Sequence, residues 1–261
     1  MRYLLILVML LGVNKISSQI VSNNYRDKSL TCVEKTFTVV VHLLKDSLGG
    51  TNMDILKINE IFDTLNSAFK PICVSFKLSN LDTLPEYQFD TITSIDEFVD
   101  LDGRFHKNRR INLYLVSRGS IFPIQDSYAT PNGYLEMSKG GILFTKNPYS
   151  ANTIVNSFGT FFGLLPTEGN GNELVNGSNC ATAGDLICDT PAEPGEYDDK
   201  SSILDGDKCV FLNKATDKNG QFYRPDVGNY MSKYYVCHCG FSRQQFQKMA
   251  DNIINAPLRL W

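Results

Sequence analysis

Peptide or ester hydrolysis needs a nucleophile, an acid–base group or a metal, and this chain is sparing with all three. It holds three histidines in 261 residues. His42 lies inside the run Phe37 to Leu44, His106 in the basic loop Arg104 to Arg110, and His238 between Cys237 and Cys239. No two stand three or four residues apart, the spacing that places two imidazoles on one helix face, so they do not make the three-ligand set of a catalytic zinc ion. Each reads as a surface or structural histidine. Cysteine catalysis needs a low-pKa thiol with a base beside it, and no spacing here pairs a thiol with a histidine. Cys237-His238-Cys239 is too tight for a zinc knuckle. Ser157 has no histidine at helical reach, and an unassisted hydroxyl is no base near neutral pH. The carboxylates of Asp198-Asp199, Asp205-Gly206-Asp207 and Asp217-Lys218-Asn219-Gly220 read as turn residues, although their hard oxygens also suit structural calcium.

The cysteines speak for a compartment rather than for chemistry. Cys32, Cys73, Cys180, Cys188, Cys209, Cys237 and Cys239 allow three disulfides and one leftover thiol in an oxidising environment. Arg2, the apolar stretch Tyr3 to Leu11 and the small residues Ser17-Ser18 read as a secretory signal peptide over 1–18, too short to span a bilayer. Lys and Arg number 25 against 28 Asp and Glu, a formal charge of −3. That balance gives no basic excess for nucleic acid, and no later stretch is long and apolar enough for a membrane helix. Asn176-Gly177-Ser178 is a glycosylation sequon.

These residues must be positioned by ordinary elements. The β-branched run Phe37 to Leu44 predicts a strand, as do Cys73 to Leu78, Ile111 to Val116 and Gly140 to Phe144, the last near a sheet edge. Thr51 to Phe69 carries apolar residues at a 3.6-residue period and ends before Pro71, which predicts a helix. Asn152 to Leu165 predicts a second. Its apolar stripe is Ile154, Val155, Phe158, Phe161, Phe162 and Leu165, and its opposite stripe is Asn156, Gly159, Thr160 and Gly163. Ser242 N-caps a last helix to Asn255. The outcome is an α+β domain over 36–261, with an N-terminal extension at 19–35, a sheet-and-helix subdomain over 36–166 and an irregular, disulfide-stapled lobe over 167–261.

Several stretches resemble the pappalysin-type metzincin zinc metalloproteases. Thr153 to Thr167 resembles their zinc helix, whose pattern is H-E-x-x-H-x-x-G-x-x-H. Glu173 to Cys180 and Gly184-Asp185-Leu186-Ile187-Cys188-Asp189-Thr190-Pro191-Ala192 resemble the loop that follows it. Asn229-Tyr230-Met231-Ser232 is similar to the Met-turn, and Phe241 to Gln245 to the start of the final helix. Laid on that pattern, Asn156 stands at the first ligand, Ser157 at the base, Thr160 at the second ligand and Pro166 at the third; only Gly163, the turning glycine, is kept. Lys233 stands where relatives carry a tyrosine, with Tyr234 following.

The resemblance implies a twisted mixed sheet with packed helices, a metzincin-like fold. It also implies disulfides from Cys180 to Cys209 and from Cys188 to Cys237 or Cys239, and calcium on the acidic turns, as in some relatives. Cys32 is then either a disulfide partner, the free thiol, or a remnant of an inhibitory pro-segment cysteine. Amide and hydroxyl oxygens and a proline do not replace imidazoles, so zinc is not expected. The reading is a secreted, catalytically inactive homologue of a zinc metalloendopeptidase, binding a peptide or protein by strand addition beside Gly140 to Phe144. The alternatives are an active metallopeptidase with a non-standard metal site and a purely structural module.

Overall fold

A computed structural model describes residues 29–119, 127–135, 139–147, 151–195 and 204–256. The expected signal peptide, Asp198-Asp199 and part of the expected N-terminal extension lie outside the described residues. The strands are β1 (Lys35–Leu44), β2 (Val74–Leu84), β3 (Thr91–Ile92), β4 (Ile111–Val116), β5 (Arg118–Gly119), β6 (Ser127–Ala129), β7 (Ile142–Thr145) and the pair β8 (Leu204–Asp205) and β9 (Val210–Phe211). The helices are α1 (Ile55–Phe69), α2 (Ile95–Phe105), α3 (Thr153–Phe161) and α4 (Arg243–Asn255). The main sheet runs β2-β1-β4-β7-β6, parallel except for β6.

The parallel strands bury both faces, which is why β1 and β4 read as mostly apolar runs, interrupted by the buried polar residues His42 and Asn112. Phe37, Val39, Val41 and Leu43 of β1 face a core completed by α1 and α3; Leu44, Tyr114, Val116 and Leu143 face a second core completed by α2. The sequence pattern overlooks α2. Its start is marked by Ser94, whose hydroxyl accepts from Glu97 N, and by Glu97, whose carboxylate accepts from Thr93 N. Strand β2 also runs beyond Leu78 to Leu84, through Ser79, Asn80 and Asp82. These polar residues fit an edge strand with one flank in water.

Two expectations are corrected. The first concerns strand addition beside Gly140 to Phe144: that strand lies near the edge, as expected, but second from it. It pairs with β4 on one side and β6 on the other, so both rows of its backbone groups are used and the edge passes to β6. The second concerns the disulfides. They join Cys180 to Cys188 and Cys209 to Cys237, with Cys32 joined to Cys73 and Cys239 a free thiol. The segment after Asn176 folds back through successive turns (Thr182 N and Ala183 N both donate to Asn179 O), with Gly184 and Leu186 at φ of 64°. That brings Cys188 to a Cα distance of 5.0 Å from Cys180. Phe211 of β9 packs on Tyr234 at 5.7 Å, which delivers Cys209 to Cys237. Because Cys32 is bonded to Cys73, it is a disulfide partner and not an inhibitory thiol.

Lys146 has no exposed surface and sends its Nζ to Asp90 Oδ1 and to Leu44 O, both at 2.5 Å. Asp90 Oδ1 also accepts from Ser117 N. Asp90→Ala would leave that ammonium buried without its counter-charge, at an expected cost of about 3–5 kcal/mol in chemical denaturation. Non-reducing peptide mapping is expected to recover the three pairs above and to alkylate Cys239 alone.

Candidate functional site

Helix α3 crosses the core with its apolar stripe inward, and its small stripe faces the Met-turn. Gly159 makes the close approach: a Cβ there would stand 2.6 Å from Met231 Sδ and 3.3 Å from a ring carbon of Phe241. The helix stops at Phe161, short of the expected Leu165, because Gly163 adopts φ of 92°; a side chain there would also collide with Asn252 and Asn132. The turn sends the chain back across the mouth of a cavity of about 230 Å³.

The structure brings the four sequence-predicted positions together, since Asn156, Ser157, Thr160 and Pro166 all line that one cavity, with Met231 at its floor. Asn156 is buried and donates its Nδ2 to Tyr230 O at 2.8 Å, so its amide is turned toward the Met-turn backbone. Ser157 is buried, Thr160 half-buried and Pro166 exposed. Edge strand β6 and Pro131 form one wall; Leu164 and Leu165 form the other. Glu168 and Lys233 complete the lining.

The Met-turn is fixed by hydrogen bonds. Met231 has no exposed surface; its N–H is held by Asn229 Oδ1 at 2.8 Å, and its carbonyl accepts from Thr167 N at 3.0 Å. Lys233 donates its ammonium to Pro194 O and Gly195 O, both at 2.6 Å. Tyr234 packs on Phe211 and does not line the cavity. Beneath the turn, His238 Nε2 meets Ser232 O at 2.7 Å and so carries the proton; burial pushes its pKa down to about 4, so the ring is neutral at physiological pH. His42 sits in β1 with Nε2 on Asn112 Oδ1, and His106 caps α2 with Nδ1 on Asp102 Oδ1. None of the three histidines lines the cavity.

Sequence reasoning missed the acidic groups behind it. Glu193 is buried, with Oε2 accepting from Thr167 Oγ1 at 2.5 Å, and burial with the neighbouring Glu168 pushes its pKa up to about 7. Farther into the lobe, burial raises Glu173 to about 7 and Asp185 to about 6. Asp185 accepts from Ile187 N and Thr190 Oγ1. Asp217, one of the acidic turn residues, accepts from Val175 N, Asn219 N and Gln221 N. Among the described residues, no group of three or more His, Cys, Asp or Glu side chains is placed to hold a metal ion.

A central parallel sheet with one antiparallel edge strand, a helix ended by a left-handed glycine over a buried methionine turn, and an irregular lobe define a metzincin-like fold. Mature mirolysin of Tannerella forsythia, solved in complex with a cleaved peptide, aligns with a TM-score of 0.60 at 17% identity, covering 89% of this chain and 94% of that one. Mirolysin in complex with compound 9 aligns with a TM-score of 0.58 at 17% identity, covering 88% and 94%. No protein-family model matches the sequence, and no curated protein matches it by sequence.

The raised pKa of Glu193 has a definite sign. The folded state keeps its proton up to about pH 7, while an unfolded glutamate loses it near 4.5. This contribution to stability is therefore fully present below about pH 4.5 and is lost as pH rises toward 7 and beyond. Glu193→Gln keeps an acceptor for Thr167 and removes the titration. In thermal melts its advantage over the parent is expected to grow from pH 4.5 to pH 8, reaching on the order of 2–3 kcal/mol.

Proposed function

We propose that this chain is a secreted, catalytically inactive homologue of the pappalysin-type zinc metalloendopeptidases, and that it holds a peptide or protein segment in the cavity beside α3. The observation that carries this reading is the donor set. The positions that resemble the three ligands and the base are Asn156, Thr160, Pro166 and Ser157, and they line one cavity. They offer an amide already spent on Tyr230 O, two hydroxyls and a side chain with no donor atom. Zinc prefers imidazole, thiolate or carboxylate. The residues present do not fit it.

What remains suits binding. Strand β6 pairs only with β7 among the described strands, so its outer edge offers backbone donors and acceptors to an extended peptide. The adjoining walls of Leu164, Leu165 and Pro131, over Met231, suit an apolar side chain. The expected signal peptide and the three disulfides both accord with an extracellular setting.

The test pairs metal analysis of the purified protein with binding to a panel of extended peptides. The parent is expected to carry no stoichiometric zinc, to cleave none of the panel, and to bind some members. Ala129→Pro in β6, which removes an N–H on the side away from β7 (the bond from Thr130 N to Gly141 O sets that alternation), is expected to weaken that binding by at least about tenfold. About one zinc per chain, with chelator-sensitive cleavage, would overturn inactivity in favour of a working metallopeptidase. The variant Asn156→His, Ser157→Glu, Thr160→His, Pro166→His is expected to gain zinc affinity absent from the parent. A folded variant that gains none would show that these four positions do not correspond to the ligand and base positions of the family.

A further inference from the structure

The loop between α2 and β4 has no part in the cavity beside α3. Its sequence, Arg104-Phe105-His106-Lys107-Asn108-Arg109-Arg110, holds four formal positive charges and no carboxylate, in a chain whose net charge is −3. Arg104 is accounted for locally: it pairs with Asp100 at 2.7 Å and lies near the negative end of the α2 dipole. Lys107 stands 3.8 Å from Asp82 Oδ2, a long pair that leaves its side chain 54% exposed; Arg109 and Arg110 follow the helix and lie outside the ion pairs found among the described residues, and Arg110 donates to the carbonyl of Arg109.

The backbone that carries them is held from below. Asn112 is fully buried in β4, accepts from Lys107 N at 2.8 Å, and donates to Lys107 O and Arg110 O, both at 3.1 Å. The amide is itself oriented by His42 at 2.9 Å and His106 at 3.3 Å. One buried side chain thus ties both ends of the arch, and Arg109 accepts φ of 61° at its crest. Lys107, Asn108, Arg109 and Arg110 are all exposed. Lys139 is exposed nearby, because the next residue, Gly140, donates its N–H to Asp102, the same carboxylate that holds His106.

A shallow, open depression of about 420 Å³ runs under Lys107 and Arg110, with Ser79, Asn80 and Asn108 as its neutral polar rim. No aromatic side chain other than His106 lines it, so it lacks the stacking platform of single-strand nucleic-acid sites. No exposed apolar side chain lines it either, as a membrane-surface site would need. Guanidinium groups on a fixed backbone match planar, bidentate oxyanion recognition. We propose that this arch is a binding surface for a sulfated polysaccharide, with Lys107, Arg109 and Arg110 contacting successive sulfate groups and the neutral rim contacting sugar hydroxyls.

The full chain is titrated calorimetrically with a heparin octasaccharide, its de-sulfated counterpart, and an oligo-dT of matched charge, at several salt concentrations. Expected is binding to the sulfated form only, with affinity falling as salt rises. Lys107→Ser, Arg109→Asn, Arg110→Ser, with asparagine chosen because it tolerates the left-handed position, is expected to lose at least about tenfold in affinity and to flatten the salt dependence. Lys214→Ser, Lys218→Ser, at exposed lysines elsewhere, is expected to change it by less than about twofold. On the parent, the octasaccharide is expected to protect Lys107 from acetylation, which tests the surface without any substitution. Binding undiminished in the triple variant, absence of Lys107 protection, no heparin binding at low salt, or equal affinity for oligo-dT would each overturn the proposal.

Discussion

One buried amide ties together the segments of the C-terminal lobe that carry the methionine turn. Gln245 has no exposed surface. Its Oε1 accepts from Asn229 Nδ2 and from Ser242 N, both at 2.9 Å, and its Nε2 reaches toward Asp185 Oδ2 at 3.5 Å. Asn229 in turn holds Met231 N. The start of α4, the methionine turn and the loop 184–190 therefore share one side chain, in a setting where an unmet polar group would cost about 1–3 kcal/mol. Asp189 reinforces the junction by accepting from Ser242 Oγ at 2.6 Å and Gln244 N at 2.8 Å, a carboxylate placed at a helix N-terminus. Asp185 and Asp189 thus have a structural task that does not depend on whether the cavity catalyses anything.

The cavity geometry follows from that junction. Met231 is pressed against Gly159 by the turn beneath it, and its carbonyl accepts from Thr167 N. The turn at Gly163 then carries the chain from α3 back to Thr167 at a point where a side chain would meet Asn252 and Asn132. The scaffold around Asn156 and Thr160 needs a small residue at 159 and a left-handed one at 163, and both demands come from packing. Such demands persist whatever the residues at 156, 157, 160 and 166 do.

Much of this was legible in the sequence, and the failures have physical causes. The α3 stripe, the β1 and β4 runs and the Ser242 cap were readable because local periodicity and capping chemistry determine them. Helix α2 was not, because its polar face is rich in Asp and its apolar contacts, Phe98 and Leu101, belong to the second core, on the face of the sheet away from α1 and α3. The order of β6 and β7 is a property of long-range pairing, and three-residue β6 carries too little pattern to announce itself. The family resemblance groups Asn156, Ser157, Thr160 and Pro166, and all four line one cavity. The backing acids Glu168 and Glu193 were not legible, since they are 25 residues apart in sequence and meet only through Thr167. Cysteine pairing was misread for a similar reason: it depends on how turns fold back, which composition does not encode.

The bridge from Cys32 to Cys73 lies just ahead of the first paired residues of β1 and β2, Lys35 opposite Val74. Parallel strands have no tight hairpin to set their alignment, and a slip of one residue would exchange the inward and outward faces of a strand. A covalent tie three residues before the first pair on one strand, and one before it on the other, acts as an alignment pin for the start of this strand pair, up to the register shift after Val39. The redox state of the compartment then bears on which alignment the chain adopts, as well as on how firmly it is held.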